Sequence, residues 1–212
     1  MRVYLEAFGC SQNLGEGAAL RRDIERAGHP VVGTPEGADV GVIVTCGVIG
    51  STEARMVRRW QALVGRIPRV VVTGCLVPLR SGLFAGPGSE RTIHLPIRSQ
   101  HELPALLAQW GAATPAVEPV VPSEPEATAE VILAQGCTSH CTYCFSRLAR
   151  GRLSSVGPLD VLARIAAARD RGAVEIRLSS LDTSCWGMDL PDSGRLPALA
   201  ESIAHLPGDF RV

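Results

Sequence analysis

Cys137, Cys141 and Cys144 lie in Gly136-Cys-Thr-Ser-His-Cys-Thr-Tyr-Cys-Phe, a CxxxCxxC triplet directly after the apolar run Glu130-Val-Ile-Leu-Ala. Three thiolates on one short loop can bind three irons of a four-iron cluster and leave the fourth iron open to an outside ligand, so redox chemistry is the first expectation. A structural zinc loop is the competing reading. Zinc favours four protein ligands at paired spacing, and here only His140 or Cys185 could supply the fourth.

Three further cysteines stand at corresponding points of a repeating pattern, in Phe-Gly-Cys10-Ser-Gln-Asn, Val-Thr-Cys46-Gly-Val and Val-Thr-Gly-Cys75-Leu. Each follows a stretch with strand character: 3–8, 38–45 and 69–73. Between these strands come helical patterns over 16–28 and from Ser51, an N-cap candidate with Glu53 in its first turn. A fourth strand, 92–95, precedes a closing helix that Ser99 and Glu102 open as a capping box. Strands alternating with helices imply a parallel sheet covered on both faces. In such a sheet the carboxyl ends of the strands share one edge, where ligands of open α/β sheets bind. Three cysteines at three such ends are therefore expected to converge, with Gly9, Gly47 and Gly74 permitting close backbone approach. The alternative is three unrelated buried cysteines.

Composition narrows the class. The 212 residues carry 46% apolar side chains, enough for a buried core, and 21 basic against 21 acidic residues. With no net field, any RNA contact has to be local. Every basic residue is Arg, which with abundant Ala, Gly and Pro reads as a GC-rich genome. No apolar run reaches the 18 or so residues of a membrane helix, so no membrane association and a cytoplasmic location are expected. Seven cysteines in a reducing compartment point to metal or redox duty, not disulfides.

Prolines 115, 119, 122 and 125 fall in a stretch without helical or strand period, which reads as an extended linker. The expected organisation is an N-terminal α/β domain over 1–112, a linker over 113–129 and a second α/β domain over 130–212. The second domain should hold a strand at 131–135, helix 158–171, strand 174–180, helix 195–205 and the start of a third strand.

Two cysteine triplets of these kinds together resemble the radical S-adenosylmethionine (SAM) methylthiotransferases. Arg2-Val-Tyr-Leu-Glu-Ala-Phe-Gly-Cys-Ser-Gln-Asn is similar to the opening strand and first ligand loop of that family, including Asn13. Leu148-Ala-Arg-Gly-Arg-Leu-Ser-Ser, Glu175-Ile-Arg-Leu-Ser-Ser-Leu-Asp-Thr and Leu206-Pro-Gly-Asp-Phe-Arg-Val resemble the branch that modifies N6-threonylcarbamoyladenosine at position 37 of tRNA. Other branches act on isopentenyladenosine in tRNA or on an aspartate of a ribosomal protein.

The resemblance implies a parallel-sheet domain followed by the first part of a partial (β/α) barrel, two [4Fe-4S] clusters and SAM. Cys137, Cys141 and Cys144 would hold the cluster that cleaves SAM to a deoxyadenosyl radical, and Cys10, Cys46 and Cys75 the cluster at which sulfur is inserted into C2 of the adenine. Tyr143, Ser180 and Asp182 resemble the part that holds SAM. Arg147, Arg150 and Arg152 form a basic patch suited to a SAM carboxylate or an RNA phosphate, or simply a solvated face. Tyr143 could instead pack, and Asp182 cap a turn. His140 reads as solvent-facing and Cys185 as structural. Implied partners are tRNA, an electron donor such as flavodoxin or ferredoxin, and a sulfur donor. The chain departs from the family pattern at Gly15-Glu16-Gly17, at Val44 and by stopping at Val212, where members continue through the barrel to a small RNA-binding domain. It therefore reads as a fragment or truncated frame whose second domain exposes a sheet edge, with a catalytically silent iron-sulfur module as the alternative to an enzyme.

Overall fold

The computed structural model describes residues 1–48, 50–111, 127–191 and 195–212. The chain divides into two compact units, Met1–Val121 and Pro122–Val212. Apart from its last three residues, the expected linker at 113–129 lies outside the described residues, as does the side chain of the expected Ser51 cap.

The first unit is built on five parallel strands: β1 (Val3–Ala7), β2 (Val31–Val32), β3 (Val40–Thr45), β4 (Arg69–Gly74) and β5 (Thr92–His94), in the order β2-β1-β3-β4-β5. The order reverses at β1 and β3, the neighbours between which such sheets open a crevice. All six residues of β3 are buried, as expected of a central strand covered on both faces. One face packs Val3, Val40, Val42 and Val44 against Leu20 and Ile24 of α1 (Ser11–Arg26). On α2 (Gly50–Val64), Met56, Trp60 and Leu63 are fully buried. Trp60 donates its indole N–H to Thr92 and meets the Phe84 ring edge-on at 5.9 Å. A short α3 (Val77–Arg80) follows β4. Among the described residues no helix is long and apolar enough to cross a membrane.

Two elements differ from the sequence expectation. Helix α1 begins at Ser11, with Cys10 as its N-cap residue, five residues before the expected start. The Gly15-Glu16-Gly17 stretch lies inside this helix, and a Cβ on Gly17 would stand 2.7 Å from the Cβ of Ala7. Glycine here lets the helix lie against β1. The capping box does not form: 97–102 is a 3-10 turn, and α4 (Leu103–Trp110) starts after it with no side-chain cap. Pro104 lacks an N–H, so it is tolerated in the first turn of a helix but not deeper, and the α-helix starts accordingly.

In the second unit, β6 (Thr128–Ile132) and β9 (Glu175–Ser179) pair in parallel, and β7 (Ala134–Gln135) pairs antiparallel with β8 (Ser154–Ser155). The single strand expected at 131–135 is thus two. Leu133 is the switch: its N–H bonds to Ser179 and its carbonyl accepts from Val156. Between β7 and β8 lie the cysteine loop and α5 (Phe145–Arg150). Helices α6 (Pro158–Asp170) and α7 (Arg195–Ala204) cover the β6–β9 pair, burying Val161, Ile165, Leu199 and Ile203 around Trp186. Arg211 forms a parallel bridge to Glu175, the beginning of the expected third strand. The described strands form no closed barrel.

Two outcomes follow from these contacts. Gly17→Ala removes a helix penalty of about 1 kcal/mol, yet the overlap with Ala7 is expected to reverse that gain and cost about 1–3 kcal/mol net, read as a lower urea midpoint. His29 is buried, with Nδ1 3.1 Å from the terminal ammonium of Met1, and burial and then that charge lower its pKa. A histidine held neutral by the fold stabilises it fully above the unfolded value of about 6.5 and progressively less as pH falls below it. The urea midpoint should therefore drop between pH 7 and pH 5, and His29→Gln should flatten that slope.

Candidate functional site

The carboxyl ends of β1, β3 and β4 are neighbours, and the turns leaving them carry Cys10, Cys46 and Cys75. The ladder pairs Ala7 with Val44 and Thr45 with Gly74. One residue further, Cys46 follows beside Cys75. Gly9 and Gly74 have left-handed φ of 111° and 97°. A side chain on Gly9 would overlap Cys46, and one on Gly74 the backbone of Thr45. Close approach of the three turns therefore requires both glycines.

Buried polar groups fasten the turns together. Asn13, fully buried in the first turn of α1, donates from Nδ2 to the carbonyls of Phe8 (3.0 Å) and Thr45 (2.7 Å). Its Oδ1 accepts from the Cys75 thiol at 3.7 Å. The Thr45 hydroxyl donates to the Thr73 carbonyl and accepts from the N–H of Leu76, and Cys75 N–H bonds to the Thr45 carbonyl. Cys46 and Cys75 are buried and Cys10 is exposed. A hydrogen bond with the Cys10 thiol, then burial, push the Cys46 thiol far above its ordinary pKa. The sequence pattern thus brings the three cysteines to one edge. Asn13 was visible only as part of a motif, and its role as a clamp needed the helix to start at Ser11.

In the second unit the β7–β8 ladder closes the cysteine loop. Gly136, at φ 68°, lies where any side chain would strike the Arg152 carbonyl, and Cys137 N–H bonds to the Gly151 carbonyl at 3.1 Å. The Cys137 sulfur accepts from Ser139 N–H and the Cys144 sulfur from Arg147 N–H, both at 3.4 Å, so Cys144 caps α5. Backbone donors aimed at sulfur tune any metal it binds. A cavity of about 510 Å³ opens onto all three cysteines, Tyr143, Ser180 and Asp182.

The expected cofactor-binding residues are in different situations. Tyr143 is exposed, and its hydroxyl bonds with the Cys141 thiol, which raises the phenol pKa. The Ser180 hydroxyl is buried without a partner among the described residues, a group ready for a ligand. Asp182 Oδ1 caps the following turn through Ser184 N–H and hydroxyl while the residue still lines the cavity. Arg150 is buried at 2% exposure and donates to Gln135. The basic triplet is therefore not one face: Arg147 is half-buried and Arg152 exposed. His140 is exposed; Cys185 is buried and donates to the Asp182 carbonyl at 3.0 Å.

Among the described residues no three His, Cys, Asp or Glu side chains close on a point that would hold a single metal ion. A zinc ion needs its ligands at about 2.0–2.3 Å from one centre. A four-iron cluster spreads its cysteines over separate irons, and both all-thiol trios suit that donor chemistry.

By fold, then, the chain is an α/β protein with a sulfur trio in each unit. Residues 2–85 match the family described as Uncharacterized protein family UPF0004. Along its whole length the chain is similar to methylthiotransferases. It is 29% identical over 222 residues to the probable threonylcarbamoyladenosine tRNA methylthiotransferase of Pyrococcus abyssi, covering 100% of this chain and 52% of that one. It is also 29% identical over 222 residues to the ribosomal protein uS12 methylthiotransferase RimO of an Anaeromyxobacter species, covering 98% and 47%. The tRNA-2-methylthio-N(6)-dimethylallyladenosine synthase of Chloroflexus aurantiacus is 29% identical, covering 100% and 47%. The chain thus spans about half the length of these relatives. A solved structure of the radical S-adenosylmethionine methyltransferase TsrM from Kitasatospora setae, with cobalamin and a [4Fe-4S] cluster bound, shares the fold at a TM-score of 0.58 and 10% identity, covering 95% of this chain and 49% of that one.

If Asn13 clamps the edge, Asn13→Asp should be severe: it keeps size but sets a carboxylate oxygen against two carbonyls. Leaving those groups unpaired costs about 1–3 kcal/mol each. Calorimetry should show a lowered melting transition, whereas Asn→Asp at an exposed site should not shift it.

Proposed function

We propose that this chain carries the cluster- and SAM-binding machinery of a tRNA methylthiotransferase that acts on C2 of N6-threonylcarbamoyladenosine at position 37. The observation that carries the reading is the convergence of Cys10, Cys46 and Cys75 on one sheet edge, in a chain that also holds a CxxxCxxC loop facing its own cavity. One iron-sulfur cluster with SAM supplies a radical, and a second supplies a site for the sulfur to be transferred.

The residues divide the work accordingly. Cys137, Cys141 and Cys144 would hold the first cluster, with Ser139 and Arg147 N–H groups bonded to two of its sulfurs. Tyr143, Ser180 and Asp182 would line the SAM site. Cys10, Cys46 and Cys75 would hold the second cluster, with Asn13 fixing their turns. A flavodoxin or ferredoxin would deliver the electron, and a separate donor the sulfur, in the cytoplasm. Archaeal relatives such as the one from Pyrococcus abyssi support the threonylcarbamoyladenosine acceptor. Equal identity to the uS12-type relative keeps a ribosomal protein aspartate as the second reading.

Mass spectrometry of tRNA nucleosides from a deletion strain complemented with the complete gene tests the acceptor. The 2-methylthio-threonylcarbamoyladenosine signal should vanish on deletion and return only with the intact gene, and Cys46→Ala should not restore it. An unchanged signal on deletion ends the tRNA reading. Iron and sulfide analysis of the anaerobic protein should fall by half in Cys46→Ala and again in Cys141→Ala.

A further inference from the structure

A second cavity, of about 380 Å³, lies against the same cysteine loop in the second unit. Arg147, Arg152, His140, Met188 and Asp189 are among its walls, and Arg152 and Asp189 do not line the larger cavity. Neither arginine forms an ion pair among the described residues. Arg147 Nε is buried with no hydrogen-bond partner among them. A guanidinium N–H shut away from water without an acceptor is costly, so its position makes physical sense when an acceptor arrives. Arg150, between the two in sequence, is satisfied by Gln135 and contributes nothing here.

The one acidic wall is already engaged. Asp189 Oδ2 accepts from Ser155 N–H at 2.9 Å. Burial alone would raise its pKa, but bonds from Ser155 hold it below the ordinary carboxylate value. Two guanidinium groups thus face one carboxylate that is already bonded and the Cys137 sulfur, which accepts from Ser139 N–H, while Met188 and Leu153 give the cavity apolar sides. Planar guanidinium groups pair best with carboxylate or phosphate oxygens.

We propose that this cavity binds an oxyanion of the acceptor molecule between Arg147 and Arg152. The inference rests on the tRNA reading only for what carries that oxyanion: the carboxylate of the threonyl substituent or a backbone phosphate. Arg147 also borders the larger cavity, so Arg152 is the discriminating residue.

The test is a titration of the 212-residue chain with N-acetylthreonine and with inorganic phosphate, following arginine Nε–H signals by NMR. At least one probe should shift the Arg147 and Arg152 signals saturably, N-acetylthreoninamide should not, and Arg152→Gln should weaken binding about tenfold, as expected for loss of a charge-assisted bond. Tighter N-acetylthreonine assigns the oxyanion to the substituent, and tighter phosphate to the RNA backbone. The inference is overturned if neither probe saturates, or if Arg152→Gln, folded by its amide spectrum, binds as well as the parent. Failure of the parent chain to bind either probe, with tRNA modification shown, defeats this inference alone, and oxyanion binding with a tRNA signal unchanged on deletion defeats the acceptor reading alone.

Discussion

Parallel strands that end side by side leave their last carbonyls pointing into a crowded edge away from water, and those groups have to be paired. In the first unit a single amide does most of the pairing. Asn13 reaches back from α1 to the ends of β1 and β3 and accepts from the thiol that follows β4. Thr45 continues the chain of bonds to Thr73 and Leu76. Gly9 and Gly74 make room for it. The cysteines are held by this polar lattice together with the register of the apolar strands beneath.

The second unit solves the same problem locally. Its cysteines come from one loop, and the positioning bonds run from neighbouring backbone N–H groups and from the β7–β8 ladder, not from distant strands. Trp186, fully buried and bonded to the Val156 carbonyl, ties the segment after β9 to that ladder. Residues 180–183 thereby reach the cavity from a part of the chain some forty positions away from the cysteines. One trio depends on long-range packing, the other on a turn.

That contrast explains what could be read in advance. The CxxxCxxC loop is a local pattern, legible at sight, and the strands of the first unit announce themselves through Val-rich runs ending in Val-Thr-Cys and Val-Thr-Gly-Cys. Features that depend on partners were not legible. The helical pattern over 16–28 did not show that the helix begins at Ser11, nor that Gly17 lies against Ala7. The Ser99–Glu102 pair has the right spacing for a capping box, yet Pro104 sets where the helix can begin. Leu133 changes partners in mid-strand, which period-two alternation does not encode. The arginines at 147, 150 and 152 look equivalent on paper, but the fold buries one, half-buries another and exposes the third.

The closed ends of the cysteine loop have a further consequence. Cys137 N–H to Gly151, the β7–β8 rungs and the Gly136 contact with Arg152 are all protein–protein interactions, made without help from anything the sulfurs hold. These contacts order the two ends of the loop. The three thiols are brought to their cavity by bonds that belong to the polypeptide itself, so whatever they bind meets a loop already shaped.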